Sequence, residues 1–292
     1  MELYNRFVKL KNISLALGFF DGVHLGHQAV IRSAVKNAVN TKSAVITFKS
    51  SPAELFGSKC KYISTLEERR KLIEKLGVDY LFEIDFSNEL SNLTACEYID
   101  MITKYFSPKF ITTGFNHTFG KNKLGTPELL EHLQEKFNYK YSKILPESFN
   151  GTVISSTLIK EYLTKGELTL ANNMLGYKFQ IAGTVVHGNH LGNKIGFPTA
   201  NILYPKEKVQ IPFGVYKTKV NGYDAMTNFG IKPTVTNTEI PLVESHIFNF
   251  NNDIYNTNIE IQFIKKIRDE KKFNSLDELV EQINKDKAEC SK

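Results

Sequence analysis

Two histidines three residues apart, His24 and His27, stand in GFFDGVHLGH, a stretch from Gly18 to His27 that also carries three glycines and an Asp-Gly pair. These residue types suit phosphate chemistry. Glycines admit a ligand close to the backbone, backbone N–H groups at a helix start attract anions, and imidazoles donate hydrogen bonds to phosphate oxygens. A lone histidine would be an ordinary surface or cap residue; the glycine turn around this pair favours a phosphate site. Ser156 and Thr157 in ISSTLIK, Ile154 to Lys160, offer two hydroxyls where a helix opens. Thr199 and Asn201 in GFPTANI, Gly196 to Ile202, are hard oxygen donors two residues apart, a set suited to Mg²⁺. Glu244 in LVESHIF shares a strand face with Leu242 and His246.

Such groups need elements to hold them. The apolar run ISLAL before the glycine turn reads as a buried strand, and AVIRSAVKNAV after it has helical spacing. SAVITF, YLFEI and FITTG read as further strands. Thr65 with Glu68 and Thr94 with Glu97 form capping boxes, and Thr126 with Pro127 opens a third helix. Alternation of this kind predicts a parallel sheet with helices on its faces, and ligands beyond the strands' C-terminal ends. GFFDGVHLGH and GFNHTFG both fall at such ends. The pattern changes near Gly176. KFQIAGTVV, GVYKTKV, AMTNFG, LVESHIFNF and IEIQFIKKI are β-rich runs, which suggests an antiparallel barrel or sandwich. A last helix carries a Ser275/Glu278 capping box and an apolar face of Leu276, Leu279, Val280 and Ile283. The expected domains are residues 1–175 and 176–292.

Composition narrows the function classes. The chain has 292 residues, 41% of them apolar, enough for two well-packed cores. No apolar run approaches the length of a membrane span, and the first residues carry no signal-peptide pattern. Cys60, Cys96 and Cys290 lie far apart and form neither a metal pattern nor a disulfide framework, so the expected setting is the cytoplasm. The net charge of +6 is scattered and accompanies no RNA-binding motif; the expected partners are small molecules, with neither nucleic acid nor membrane.

Together the motifs resemble a known family. GFFDGVHLGH is similar to the G-x-F-D-G-x-H-x-G-H signature of bacterial FMN adenylyltransferases, ISSTLIK to their I-S-S-T-x-I-R, and GFPTANI to the P-T-A-N motif of riboflavin kinases. Their order and spacing resemble the bifunctional riboflavin kinase/FAD synthetases over nearly the whole chain. The resemblance implies an α/β plus β fold: a Rossmann-like nucleotidyltransferase domain with a parallel sheet, then an antiparallel β-barrel riboflavin kinase domain with a terminal helix. It implies riboflavin, FMN and ATP as substrates, ATP being used with Mg²⁺. It assigns Gly18, Phe19, Phe20, Gly26, Asn116, Ser156, Thr157 and Lys160 to ATP or flavin beside His24 and His27. In the second half it assigns Gly192 and Gly196 to a loop over the nucleotide, Thr199 and Asn201 to metal and phosphates, Glu244 to the catalytic base, and Arg268 to a loop over the flavin. The chain departs from the family pattern at Ser51, where histidine is usual, at His117, Leu158 and Lys160, and at Asn193 and Asn256.

Overall fold

The structure, a computed structural model, describes residues 1–187, 195–231 and 241–291. Gly192 and Asn193 lie outside the described residues, as do the last three residues of NFGIKPT, the stretch from Asn228 to Thr234 that also resembles the riboflavin kinases. Contacts divide the chain into two compact units, Met1–Ser156 and Thr157–Lys292.

The first unit is built on a parallel sheet. Its strands are β1 (Glu2–Tyr4), β2 (Ile13–Leu17), β3 (Lys42–Phe48), β4 (Tyr80–Ile84), β5 (Phe110–Gly114) and β6 (Lys140–Ile144), in the order β1-β4-β3-β2-β5-β6. Every residue of β2 is buried, as a central strand covered on both faces requires. The helices are α1 (Leu25–Lys36), α2 (Leu66–Glu74), α3 (Asn88–Asn92), α4 (Ala95–Phe106) and α5 (Pro127–Phe137). Both expected capping boxes are present, at Thr65/Glu68 and Thr94/Glu97, and Thr126 caps α5 with Pro127 in its first turn. β2 pairs with β3 on one side and β5 on the other: the chain runs outward from β2 through β3 to β4, then crosses back to add β5 on the far side of β2. The crevice at the ends of β2 and β5 is the topological switch point, the usual ligand position in an open α/β sheet. A small hairpin of β7 (Ser148–Phe149) and β8 (Thr152–Val153) comes next.

The second unit opens with α6 (Ser156–Lys165, its first residue counted with the first unit) and α7 (Leu168–Leu175). Its strands are β9 (Gln180–Thr184), β10 (Ala200–Leu203), β11 (Gly214–Val220), β12 (Tyr223–Ile231), β13 (Pro241–Ile247) and β14 (Asn258–Arg268). They pair antiparallel in the order β10-β13-β12-β11-β14-β9, and a bridge from Val186 to Asn201 brings the two ends together. A barrel is therefore present rather than a sandwich. Its interior is packed with Tyr216, Phe229 and Phe263, and a chain of fully buried hydroxyls, Thr218–Thr227–Ser245, runs across three strands at 2.7 Å spacings. The β11–β14 register shifts twice: Val215 faces Arg268, Tyr216 faces Lys266, Lys217 faces Lys265 and Thr218 faces Phe263. Ile264 and Ile267 are the extra, bulged residues.

The terminal helix α8 (Leu276–Cys290) covers part of the barrel's outer face. Ile283 and Cys290 pack there with Val215, Met226 and Phe248. The expected apolar face is corrected at Leu276, which is 57% exposed. The expected capping box is half formed: Ser275 caps Glu278 N–H, but the Glu278 carboxylate accepts from Asn274 N–H instead of Ser275.

Candidate active sites

In the first unit the chain leaves β2 through Gly18 and enters α1 at Leu25. The turn between them is tightly determined. A side chain at Gly18 would meet the Phe20 ring at 2.7 Å. Phe20 takes a left-handed φ of 57°, and Gly22 one of 74° where Ile63 leaves no room for a Cβ. Asp21, buried, accepts from Ile63 N–H at 2.9 Å and Ser64 N–H at 3.4 Å, and Gly22 N–H donates to Ser64 Oγ at 3.1 Å. The segment leading into α2 thus clamps the turn. Ser156 Oγ, at the end of the first unit, donates to the Asp21 carbonyl of the same turn at 3.1 Å.

His24 is the N-cap of α1: its Nδ1 accepts from His27 N–H at 3.3 Å. Its proton therefore sits on Nε2. The two imidazoles stack with centroids 3.6 Å apart, and the Phe20 ring meets His27 edge-on at 5.4 Å. A Cβ at Gly26 would touch the His24 ring at 3.3 Å. Burial lowers the pKa of His24 to about 4. His27 is lowered well below its ordinary value, first by burial, then by the charges of His24 and Arg69. Both rings are neutral at pH 7, and His27 Nδ1 is buried with no hydrogen-bond partner among the described residues.

Across the switch point, Asn116 is exposed in the loop after β5. Its neighbour His117 stacks on Phe119 at 5.8 Å, and burial lowers its pKa to about 4, so it behaves as the apolar ring it replaces in the family pattern. Ser51 caps a short 3₁₀ turn by accepting from Ala53 N–H at 3.3 Å. Thr157, exposed, and Lys160 continue along α6 and are counted with the second unit.

In the second unit a cavity of about 280 Å³ lies on the barrel's outer face beside α8. Strand register places one row of residues across five strands: Asn201 opposite Glu244, Glu244 opposite Asn228, Asn228 opposite Val215, Val215 opposite Arg268. All but Asn201 line the cavity, with Thr199, Phe197, His246 and Phe273. Asn201 is 4% exposed and its Oδ1 has no partner among the described residues. Thr199 precedes β10 on the same face as Asn201. Gly196, with a φ of 82°, turns the chain into this segment. His246 Nδ1 lies 2.9 Å from the Pro198 carbonyl; burial lowers its pKa, so the neutral ring donates there and holds the peptide before Thr199. Arg268 ends β14 with its guanidinium committed: Nε and Nη2 reach the buried Asp286 carboxylate of α8 at 2.7–3.0 Å, and Nη1 donates to the Asp269 carbonyl. Asn256, where the family often has glycine, adopts a left-handed φ of 59°.

Asp286 and the positioning contact of His246 were not singled out from the sequence, and Asn228 entered only as the first residue of the motif NFGIKPT. Asn228 is adjacent to Glu244 only through strand register, and Asp286 meets Arg268 only once α8 docks.

Fold and sites define a two-part protein, a nucleotidyltransferase-type α/β unit followed by a riboflavin-kinase-type barrel. The FAD synthetase family model matches residues 8–158 and the riboflavin kinase model residues 175–292. The bifunctional riboflavin kinase/FMN adenylyltransferase of Bacillus subtilis is 38% identical over 289 residues, 94% of this chain and 90% of the relative. The enzyme of that name from Haemophilus influenzae is 36% identical over 294 residues, covering 97% and 95%. A crystal structure from Streptococcus pneumoniae, described as a macrolide-efflux protein, superposes with a TM-score of 0.88 at 32% identity, covering 99% of this chain and 98% of that one. The chain belongs to the bifunctional riboflavin kinase/FMN adenylyltransferase family. Among the described residues no helix is long and apolar enough to cross a membrane.

Proposed function

We propose that the chain carries out both reactions of its family. Riboflavin and ATP give FMN and ADP in the barrel unit; FMN and ATP give FAD and pyrophosphate in the α/β unit. One observation carries the reading. Each unit holds a buried polar atom without a partner among the described residues at the expected ligand contact, His27 Nδ1 in one and Asn201 Oδ1 in the other. An unpaired buried polar group costs about 1–3 kcal/mol, and a ligand that pairs with it removes that cost.

In the barrel, Glu244 accepts the proton of the ribityl hydroxyl as its oxygen attacks the γ-phosphorus of ATP. Asn228, directly across the strand, orients that carboxylate or the hydroxyl. Phe197, Met226 and Phe273 offer apolar wall to a flavin ring. Thr199 and Asn201 fit Mg²⁺, being oxygen donors on one strand face with Asn201 Oδ1 unpaired among the described residues. When bound, the ion neutralises charge on the ATP phosphates. In the α/β unit the FMN phosphate attacks the α-phosphorus and pyrophosphate leaves. His24 Nε2–H and the His27 ring donate to the phosphate oxygens. Being neutral, they contribute directed hydrogen bonds. The free thiols of Cys60, Cys96 and Cys290 support a cytoplasmic setting.

The test is incubation of the purified chain with riboflavin or FMN, ATP and Mg²⁺, under oxidised and reduced flavin, with FMN and FAD resolved chromatographically. Both products are expected. FMN without FAD would leave a kinase alone, the reading favoured by Ser51 serving as a cap where the family has histidine. Flavin binding without either product would leave a regulator.

A further inference from the structure

The peptide that opens the histidine turn is held from behind by a buried cation. Arg69, on α2, is 3% exposed. Its Nη1 donates to the Phe19 carbonyl at 3.0 Å; its Nη2 donates to the Phe48 carbonyl at 2.6 Å and the Lys49 carbonyl at 3.3 Å. The guanidinium carbon lies 4.9 Å from the centroid of the Phe19 ring. The buried hydroxyl of Thr47 donates to the same Phe19 carbonyl at 2.8 Å. Three carbonyls at the C-terminal ends of β2 and β3 therefore converge on one side chain.

Among the described residues no carboxylate lies within ion-pair distance of Arg69. The neighbouring acids make their short contacts elsewhere, Glu83 with Arg70 at 2.6 Å and Asp21 Oδ1 with the Ile63 and Ser64 N–H groups, and act on Arg69 only at longer range, where their charges favour its protonated form. Arg69 Nε is buried without an acceptor among the described residues. Burying a cation whose direct hydrogen bonds all go to neutral carbonyls is expensive, and a neutral side chain would fill the same space at less cost. The arginine does two things a neutral residue would not. First, carbonyl and N–H point in opposite directions across a trans peptide. With the Phe19 carbonyl turned toward Arg69 and Thr47, the Phe20 N–H faces the other way, away from that support. Phe20 is left-handed at φ 57°, a conformation that persists for a bulky residue only when its surroundings over-determine it. Second, the guanidinium stays protonated at any working pH beneath a turn whose two histidines are neutral.

We infer that Arg69 is the positioning residue of the histidine turn: it fixes the Phe19–Phe20 peptide and supplies the turn's permanent positive charge toward the phosphate chain of a nucleotide. The inference rests on the reading of this turn as the adenylyl-transfer site.

The test uses the full chain with Arg69→Met and Arg69→Lys, each checked by thermal melting and by riboflavin phosphorylation in the same preparation, which is expected within twofold of wild type. For Arg69→Met, kcat for FAD formation falls about 10²-fold and KM for ATP rises. Arg69→Lys keeps the charge but loses the fork: kcat falls about tenfold while KM for ATP stays near wild type. A second readout is independent of turnover. The groups that face His27 are the stacked His24 ring, the Phe20 edge and the Arg69 charge. The NMR titration midpoint of the His27 ring moves up in Arg69→Met and stays in Arg69→Lys. A folded Arg69→Met that forms FAD at the wild-type rate, or leaves the His27 midpoint unmoved, overturns the inference. If Arg69→Met does not fold, a wild-type kcat in Arg69→Lys overturns it. If wild type itself makes no FAD, the adenylyl-transfer reading falls separately, and the His27 titration alone decides the part played by Arg69.

Discussion

At the residue scale, the two candidate catalytic centres use opposite chemistry. In the proposed reaction the α/β unit relies on neutral donors. His24 spends Nδ1 on capping α1 and keeps only Nε2–H for a ligand, whereas His27 has a buried Nδ1 with no partner among the described residues. His27→Ala is therefore expected to lower FAD formation by about 10²-fold, as loss of one preorganised donor does, with riboflavin phosphorylation intact. Equal FAD rates in the mutant and wild type would remove His27 from the reaction. The barrel unit relies on a base. Glu244→Gln keeps the shape but not the proton acceptor, so FMN formation should drop by about 10² to 10⁴ while FAD is still made from supplied FMN. Near-normal phosphorylation by a folded mutant would move the base elsewhere. Thr199 and Asn201 stand out as paired oxygen donors, and Glu244 does so only through the family resemblance, since a strand carboxylate by itself reads as a solvent-facing residue. Arg69 was not legible, because it meets its partners across elements distant in sequence.

At the element scale, local signals held where local physics decides. The capping boxes of α2 and α4 and the Thr126–Pro127 start of α5 each satisfy backbone donors within one turn, so the sequence names the helix start directly. β1 and β6 carried less signal: β1 is a short, largely exposed edge strand, and β6 carries lysines near both ends of KYSKI. The start of β11 is a point where one atom matters. Gly214 has a φ of 150°, and a Cβ there would meet the Arg268 carbonyl at 2.3 Å. Gly214→Ala must push the end of β14 away and disturb Arg268, Asp286 and the cavity edge. We expect a loss of roughly 2 kcal/mol for the barrel unit in urea denaturation, and impaired FMN formation with FAD formation from FMN preserved. An unchanged denaturation midpoint would mean that the strand end yields without strain.

At the scale of the whole molecule, acid sensitivity should be concentrated in the first unit. Burial lowers the pKa of His24 and of His117 to about 4, and His27 also lies well below its ordinary value. In the unfolded chain these rings take protons near pH ~6.5. The folded unit resists protonation until much lower pH, so its stability is full above about 6.5 and is lost as pH falls toward about 4. Melting curves between about pH 7.5 and 4.5 should show this decline, and His117→Phe should make it shallower; an identical slope would exclude His117. The change from helix alternation to β-rich runs made the two-part organisation legible. The strand pattern alone left barrel or sandwich open, because closure depends on how the first and last strands meet; the family resemblance implied the barrel that the strands form. The paired bulges of β14 extend this point to inheritance. Ile264 and Ile267 together advance the strand by two residues against β11, which is what brings Arg268 level with Glu244. Here the quantity under selection is a count of residues more than their identity. Another apolar residue at Ile264 preserves the alignment, whereas a single codon lost between Phe263 and Arg268 turns Arg268 to the opposite face of the strand.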